Sequence, residues 1–512
     1  MRPHSRQPYT APGRQIWAWG VGAIANHALI CTYGQATAIF TIGFSLNASL
    51  VAWAIMLPRL IDGITDPLLG HISDNANTRW GRRKPFLVLG SVLGAVFLSL
   101  LWWADRSWSA TAQLVYLFLF GVLFYTAWGL FAMSWNAIGY ELTDDYHERS
   151  KVSAIGTLFL QIVLLGNAWV YWLALRPLFE HGVVNTFNDL LAAGFDWEKL
   201  KAVGHAAFVA APGSPTNEIN GIRWIAGFVG VLAIASASVT VLVCKERFSH
   251  LNTAVKKKRV PMLPALKTTL KNKAFMNLMF IKVFQTLGDR TAGGILVFLG
   301  VYYVCLGDKS LAFKITGIGS TIGTLWGFGM IPLIKPISRW IGKKGGLLLA
   351  TGGSLGAALT LPFAYNPAHP YLMLLPALLT IMLIGIGNTI SQAIMPDICD
   401  VDEIITGQRR EGLFTAVMSF VQKIEISLCA LLVGYMVVWS GLDTTQAAQP
   451  EHVLNRLYWL AIIPYILFSG GAFIMALRFP LTEKIMAEVC AQLDARHQAA
   501  GIETIPEPDK KS

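Results

Sequence analysis

The chain has 512 residues, 54% hydrophobic and only 14% charged, with a mean hydropathy of +0.51 and a formal net charge of +11. A soluble domain carries about 25% charged residues to cover its surface, so this chain must be covered by something other than water. That excludes a soluble enzyme, a disordered protein and, despite the positive charge, a nucleic-acid binder.

A membrane-spanning helix needs roughly 20 mostly apolar residues. Twelve stretches qualify: 16–42, 48–72, 85–104, 112–139, 153–175, 221–244, 274–305, 312–334, 345–364, 370–395, 413–440 and 457–477. The first follows a short polar arm without a small-residue cleavage site, so it reads as a retained helix rather than a signal peptide. Cys31, Cys244, Cys305, Cys399, Cys429 and Cys490 have no metal-ligand spacing and form no disulfide framework, and read as reduced packing residues. With the N-terminus placed in the cytoplasm, the even-numbered connections and both tails hold 29 of the 41 Lys and Arg residues, and the opposite side six. The expected fold class is therefore an all-α membrane protein of twelve transmembrane helices, with both termini cytoplasmic. The basic balance marks topology and an anionic lipid surface, not a nucleic-acid partner.

The expected organisation is a six-helix bundle over 1–244, a basic cytoplasmic loop at 245–273, a second six-helix bundle over 274–478 and a cytoplasmic tail at 479–512. The halves echo each other. The loop after span two carries Asp74, Arg82 and Arg83, and the one after span eight carries Arg339, Lys343 and Lys344. The loop after span four carries Glu141 and Arg149, and the one after span ten carries Asp400 and Arg410. Such clusters at equivalent places point to parallel repeats, a transporter architecture with a midplane cavity. They are expected to act as a cytoplasmic gate of interdomain ion pairs.

An ionisable residue inside a span costs at least about 2.5–3.5 kcal/mol and demands a reason. Arg59, Asp62 and Asp66 of span two share one helix face. Two carboxylates one turn apart in a dry site need a cation between them or a proton on one, the physics of a coupling-ion site. A buried structural Arg59–Asp62 pair is the plainer alternative. Span seven adds Lys282, Asp289 and Arg290, and span eleven adds Lys423 and Glu425. Lys423, half-way down its helix, should face the cavity, meeting substrate or a carboxylate of the other half such as Asp62. His27 beside Asn26 in span one, and Trp128, Ala132 and Asn136 at steps of four in span four, offer an aromatic plate and amides suited to a sugar. Ordinary helix packing explains the same residues.

The stretch Asp62-Gly-Ile-Thr-Asp66-Pro67 to Gly70-His-Ile-Ser-Asp74, with Trp80-Gly81-Arg82-Arg83-Lys84-Pro85, resembles the signature of the glycoside–pentoside–hexuronide:cation symporters of the major facilitator superfamily. Trp19-Gly20-Val-Gly22, Gly139-Tyr140-Glu141 to Arg149, and Asp397 to Phe414 running into Lys423 extend the resemblance over nearly the whole chain. The resemblance implies uptake of a sugar or glycoside by alternating access, driven by Na⁺, Li⁺ or H⁺, with no cofactor. It implies Asp62 and Asp66 as cation ligands, Lys423 beside both sites, and sugar contacts at His27, Asn26, Trp128 and Asn136. Arg59, Asp289, Arg290 and Glu425 form the accompanying charge network.

Departures from the family pattern qualify this. Where relatives carry sugar-clamping acids in spans one and four, this chain has His27 and Ala132; a nearby hydroxyl position is Gly129, and a common span-five arginine is Thr157. Losing hard oxygen donors disfavours Na⁺, so H⁺ is the favoured coupling ion. The 177–220 stretch is a long outer insert, partly helical by pattern, read as a tolerated surface insertion or a cap over the vestibule. The expected setting is a bacterial-type inner membrane, with the protein working as a monomer. A lysolipid or other organic-solute carrier of the same fold, or a non-transporting sensor, are the competing readings.

Overall fold

The computed structural model describes residues 11–76, 78–143, 146–181, 183–193, 196–208, 218–245, 269–406, 411–446 and 448–499. Among these the regular structure is helical, apart from an isolated bridge between Thr78 and Gly81. Spans one to six are Gly13–Tyr33 (prolonged by Ala36–Ala38 and a π-turn at Ile39–Gly43), Ala48–Asn75, Lys84–Leu101, Ala110–Glu141, Tyr146–Asn167 with Val170–Ala174, and Glu218–Val243. Spans seven to twelve are Lys273–Leu299 with a π-turn at Gly300–Val304, the two spans within Lys309–Ala364, then Leu374–Thr406, Glu411–Ser440 and Glu451–Leu477.

Eight of these helices are long and apolar enough to cross a membrane by length and composition. They are spans three to six and nine to twelve. Spans one, two and seven carry the polar residues singled out in the sequence, Asn26 and His27, Arg59, Asp62 and Asp66, and Lys282, Asp289 and Arg290.

The loop expected at 335–344 is narrower in the structure. The helix from Lys309 runs on to Ala364 with a single break at Gly342, where φ is 71° and ψ 173°. Only glycine takes that left-handed conformation freely, and a Cβ there would sit 2.6 Å from Glu483 Oε1. The turn from span eight into span nine therefore rests on one residue.

Spans one and seven end alike. In each, a five-residue π-turn is followed two residues later by a non-glycine with positive φ: Ser45 (56°) after the first, Leu306 (51°) after the second. The backbone bonds match, Phe44 N to Ile39 O and Leu46 N to Phe40 O against Cys305 N to Gly300 O and Gly307 N to Val301 O. This local geometry repeats between the halves although the two sequences differ.

Contacts divide the chain into two compact units. The first is Met1–Val255, Gly294–Thr324 and Ser427–Tyr458; the second is Lys256–Gly293, Leu325–Ile426 and Trp459–Ser512. The division does not follow the expected boundary at 245–273, because one end of spans seven, eight, eleven and twelve packs into the first unit. There Tyr171 stacks on Phe313 with ring centroids 3.7 Å apart. Trp169 Nε1 donates to Thr321 Oγ1 at 2.9 Å, and Trp53 Nε1 to the Tyr435 hydroxyl at 3.2 Å. Gly434 makes the approach possible, since a Cβ on it would lie 2.6 Å from the Ala48 carbonyl.

This sealed end carries the insert, which folds as Leu178–His181, Val183–Ala193 and Trp197–Phe208. Arg176 ties it down. Its guanidinium stacks on Trp172 at 4.1 Å and donates to the carbonyls of Trp172 and Phe208 and to Ser310 Oγ.

Lipid offers no hydrophobic drive for helix association, so spans hold together by close packing over small residues and by interhelical hydrogen bonds. In the first unit, Thr240 Oγ1 of span six donates to Ala18 O of span one at 2.8 Å, and Gly90 lets span three meet the Phe131 backbone. The second unit packs around Phe275, Leu278, Ile281, Leu347, Ile390 and Phe414. The tail helix Glu483–Ala499 lies against span ten. Among the described residues Cys31, Cys244, Cys305, Cys399 and Cys429 form no disulfide, and all but Cys31 are buried.

Candidate functional site

In the first unit the functional side chains gather where spans one, two and four meet. The Trp128 indole donates to the Asn26 carbonyl at 2.9 Å, so the aromatic plate expected in span four is locked to span one. Asn26 is buried, and its Oδ1 has no hydrogen-bond partner. His27 sets its ring edge-on to Trp135 with centroids 6.1 Å apart. Asn136 turns its amide back to the Ala132 carbonyl of its own helix at 2.8 Å and stays exposed.

Asp62 is 3% exposed. Arg59, one turn earlier, lies 6.0 Å from the Tyr125 ring centroid, and both Arg59 and Asp62 are electrostatic neighbours of that tyrosine. Tyr125 is wedged among Tyr33, Phe124 and Trp128 in an aromatic column. The Tyr33 hydroxyl is buried without a hydrogen-bond partner. Tyr33 and Tyr125 were missed in the sequence. Their signals were spacing alone: Tyr33 two helical turns after Asn26, and Tyr125 one turn before Trp128 on the same face.

The chemistry of this donor set is clear. A buried carboxylate, a guanidinium near a phenol ring, and two buried polar atoms without hydrogen-bond partners occur among these aromatic faces. Unbonded buried polar atoms cost about 1–3 kcal/mol each until something meets them. A hydroxyl-rich solute with apolar C–H faces satisfies both halves of that set.

The second unit holds the other intramembrane charges. Lys282 Nζ donates to Asn388 Oδ1 at 2.6 Å. Asp289 accepts from the Tyr465 hydroxyl at 3.1 Å, and Glu425 is buried near Thr286. Arg290 is exposed where its neighbour Asp289 is half-buried, as adjacent helix positions require. Lys423 is half-buried two positions from Glu425. Asp62 belongs to the first unit and Lys423 to the second.

At the opposite end from the insert, the arginine-rich loop closes on its own half. Arg82 and Arg83 both reach Glu141 Oε1, at 3.1 Å and 2.6 Å. In the second unit Lys343 Nζ meets both oxygens of Asp397 at 2.8 Å and 2.7 Å. Asp400 lies half-buried on span ten. The side chains of Asp66, Asp74 and Arg149, and the whole of Arg410, lie outside the described residues.

Three kinds of likeness bear on this site. The sequence profile described as MFS/sugar transport protein matches residues 18–483. A glucuronide carrier protein homolog of Escherichia coli is 23% identical over 490 residues, covering 94% of this chain and 96% of its own. A lactose permease of Lactobacillus helveticus is 23% identical over 512 residues, covering 96% and 74%. An uncharacterized symporter of Synechocystis is 23% identical over 506 residues, covering 88% and 91%. Among solved structures, a bacterial homolog of the lysosomal transporter Spinster aligns with a TM-score of 0.56 at 15% identity over 93% of this chain and 100% of its own. A D-xylose–proton symporter aligns with a TM-score of 0.54 at 15% identity over 90% and 96%. These two show the major facilitator fold of twelve transmembrane helices. Such proteins are multi-pass membrane transporters, not enzymes, and with a profile match across nearly its full length this chain belongs to the MFS/sugar transport protein family.

Proposed function

We propose that the chain is a symporter that takes up a sugar or glycoside together with a cation, H⁺ in preference to Na⁺, by alternating access of two six-helix bundles. The observation that carries this reading is the buried Asp62 carboxylate, which with Arg59 acts on Tyr125. It lies next to an aromatic column whose Tyr33 hydroxyl has no hydrogen-bond partner and whose Trp128 is bonded to Asn26, a second residue with an unbonded buried oxygen. Moving a charged carboxylate through a closed, dry state is costly, and a proton or cation on Asp62 and Asp66 removes most of that cost. The sugar then binds against Asn26, His27, Trp128 and Asn136 of the first unit, and Lys423 of span eleven is the further substrate contact proposed. The relatives named for glucuronide and lactose are sugar carriers, which favours the same substrate class here.

In this scheme the protein sits in a bacterial-type inner membrane as a monomer with both termini in the cytoplasm. The insert end faces outward, and the Arg82–Arg83–Glu141 and Lys343–Asp397 clusters face inward. Asp74, Arg149, Asp400 and Arg410 complete the inner gate. The closed contacts at the insert end match a transporter sealed on the uptake side.

The test is uptake of a glycoside panel into proteoliposomes under imposed pH or Na⁺ gradients, for wild type, Asp62→Asn and Asp66→Asn. The reading expects accumulation driven by the pH gradient, lost in both variants while sugar exchange survives. Normal accumulation in either variant, or no sugar movement under any gradient, would overturn it.

A further inference from the structure

The second unit contains an acid that the coupling scheme above leaves without a task. Asp289 sits in span seven, and its Oδ1 accepts from the Tyr465 hydroxyl of span twelve at 3.1 Å. That hydroxyl is in turn 3.1 Å from Thr380 Oγ1 of span ten. Tyr465 is itself buried, and it comes this close because span seven has Gly288 here, whose added Cβ would lie 3.3 Å from the tyrosine ring. Three helices thus bring one carboxyl group and two hydroxyls into line.

How the acid is held separates it from Glu141 and Asp397. Glu141 is clasped by two arginines, and both oxygens of Asp397 accept from Lys343 Nζ. Those partners only donate and suit the ionised form alone. A tyrosine and a threonine hydroxyl can each donate or accept. With Asp289 ionised, Thr380 donates to Tyr465 and Tyr465 to the carboxylate. With Asp289 protonated, the chain can reverse, the acid donating to Tyr465, Tyr465 to Thr380, and the threonine hydroxyl to a carbonyl of its own helix. Both protonation states are therefore hydrogen-bonded without moving a helix. The charged form is supported by field rather than contact. Lys282, two turns back on the helix and bonded to Asn388, and Arg290, the next residue, are the cations that act on Asp289. The same two cations act on Glu425, and Tyr365 lies near Tyr465.

We infer that Asp289 is a second proton-loading carboxylate, exchanging its proton along the reversible Tyr465–Thr380 hydroxyl chain and carried in addition to the ion on span two. The proton comes from water on the uptake side, adds to an Asp289 oxygen, and leaves to water on the release side. The translocation part of this inference rests on the symporter reading; proton binding at Asp289 does not.

Two measurements on the full-length protein keep those parts separate. The first is pH-difference infrared spectroscopy of reconstituted protein, following the carbonyl stretch of protonated carboxyl groups. Asp289→Asn should delete one such band, and Tyr465→Phe should keep it but move its pH midpoint. The second is the ratio of protons to sugar taken up by proteoliposomes loaded with a pH-sensitive dye, using whichever of lactose or a phenyl glucuronide wild type accumulates. In Asp289→Asn this ratio should fall by about half, as two carried protons become the one held on span two, with sugar exchange retained and Asp289→Glu restoring wild-type values. An unchanged infrared spectrum overturns the site, and a deleted band with an unchanged ratio overturns its part in transport. If Asp289→Asn does not fold, the Tyr465→Phe spectrum decides: an unmoved midpoint overturns the hydroxyl chain. A wild type that moves no sugar defeats the symporter reading and leaves the infrared test standing.

Discussion

Trp19 and Trp135 hold each other by a reciprocal pair of hydrogen bonds. The indole of each donates to the backbone carbonyl of the other at 2.9 Å, and the rings stack 4.6 Å apart and within 2° of parallel. Span one and span four meet here because glycines make room. A Cβ on Gly139 would lie 2.6 Å from the Trp19 ring, and one on Gly22 would lie 2.9 Å from the Trp135 indole nitrogen. His27 rests edge-on against Trp135, so the same staple sets one wall of the candidate sugar site.

Replacing either tryptophan by phenylalanine removes one indole donor and part of the stack. Each single variant should lose about 1–3 kcal/mol and several degrees in Tm. Because the bonds are mutual, the double variant should cost less than the sum of the singles. Additive losses in a thermal-melt double-mutant cycle would show that the two act separately.

Glu218, only 2% exposed, opens span six and accepts from Lys309 Nζ, which opens span eight, at 2.9 Å. Removing one member of a buried pair strands the other charge, which costs about 3–5 kcal/mol when both are fully buried. Lys309 keeps some exposure, so the loss should sit at or below the bottom of that range. Glu218→Gln should loosen the sealed end, where Tyr171 and Phe313 also stack. A cysteine placed at Phe313 should react faster with a membrane-impermeant thiol reagent in Glu218→Gln than in the parent. Equal rates would remove the pair from the seal.

Arg176 fixes the insert through the Phe208 carbonyl and the main helical body through Trp172 and Ser310. Lysine keeps the charge but not the planar fork that makes three bonds while stacking on an indole. Arg176→Lys should therefore raise hydrogen exchange across Trp197–Phe208 by about tenfold, the equivalent of about 1.4 kcal/mol, and leave Lys84–Leu101 unchanged. Exchange unaltered in the insert would mean that Arg176 does not anchor it.

Asp443, in the connection between spans eleven and twelve, accepts from the Thr445 hydroxyl, the Thr445 backbone N–H and Gln446, in that order of effect, and these bonds hold its carboxyl below the usual aspartate range. The turn presents Thr444, whose hydroxyl donates to Thr41 O at 3.1 Å. A depressed folded-state value means that the stabilisation is present above the unfolded value of about 4, and fades as pH falls through the lower folded value. The Tm gap between wild type and Asp443→Asn should thus be constant near neutrality and close on acidification below about pH 4. A gap that widens in acid would reverse the sign and refute the assignment.

Much of this protein could be read along one dimension. Span positions follow from runs of apolar residues, because each backbone group in lipid must bond within its own helix. The intramembrane charges stood out because their burial is costly whatever surrounds them, so Asp62, Asp289, Glu425 and Lys423 were legible before any packing was known. Their partners were not. Tyr33 and Tyr125 around Arg59, Tyr465 and Thr380 around Asp289, and Lys309 against Glu218 come from other helices, and a helix's own periodicity carries no information on which neighbour it meets. The sealed insert end, the single-residue turn at Gly342 and the matching π-turns of spans one and seven likewise depend on distances between helices. The sequence by itself determined which residues had to be accounted for inside the membrane. Only the tertiary structure decided what each one touches, because those contacts are set by interhelical packing, to which hydropathy and spacing are blind.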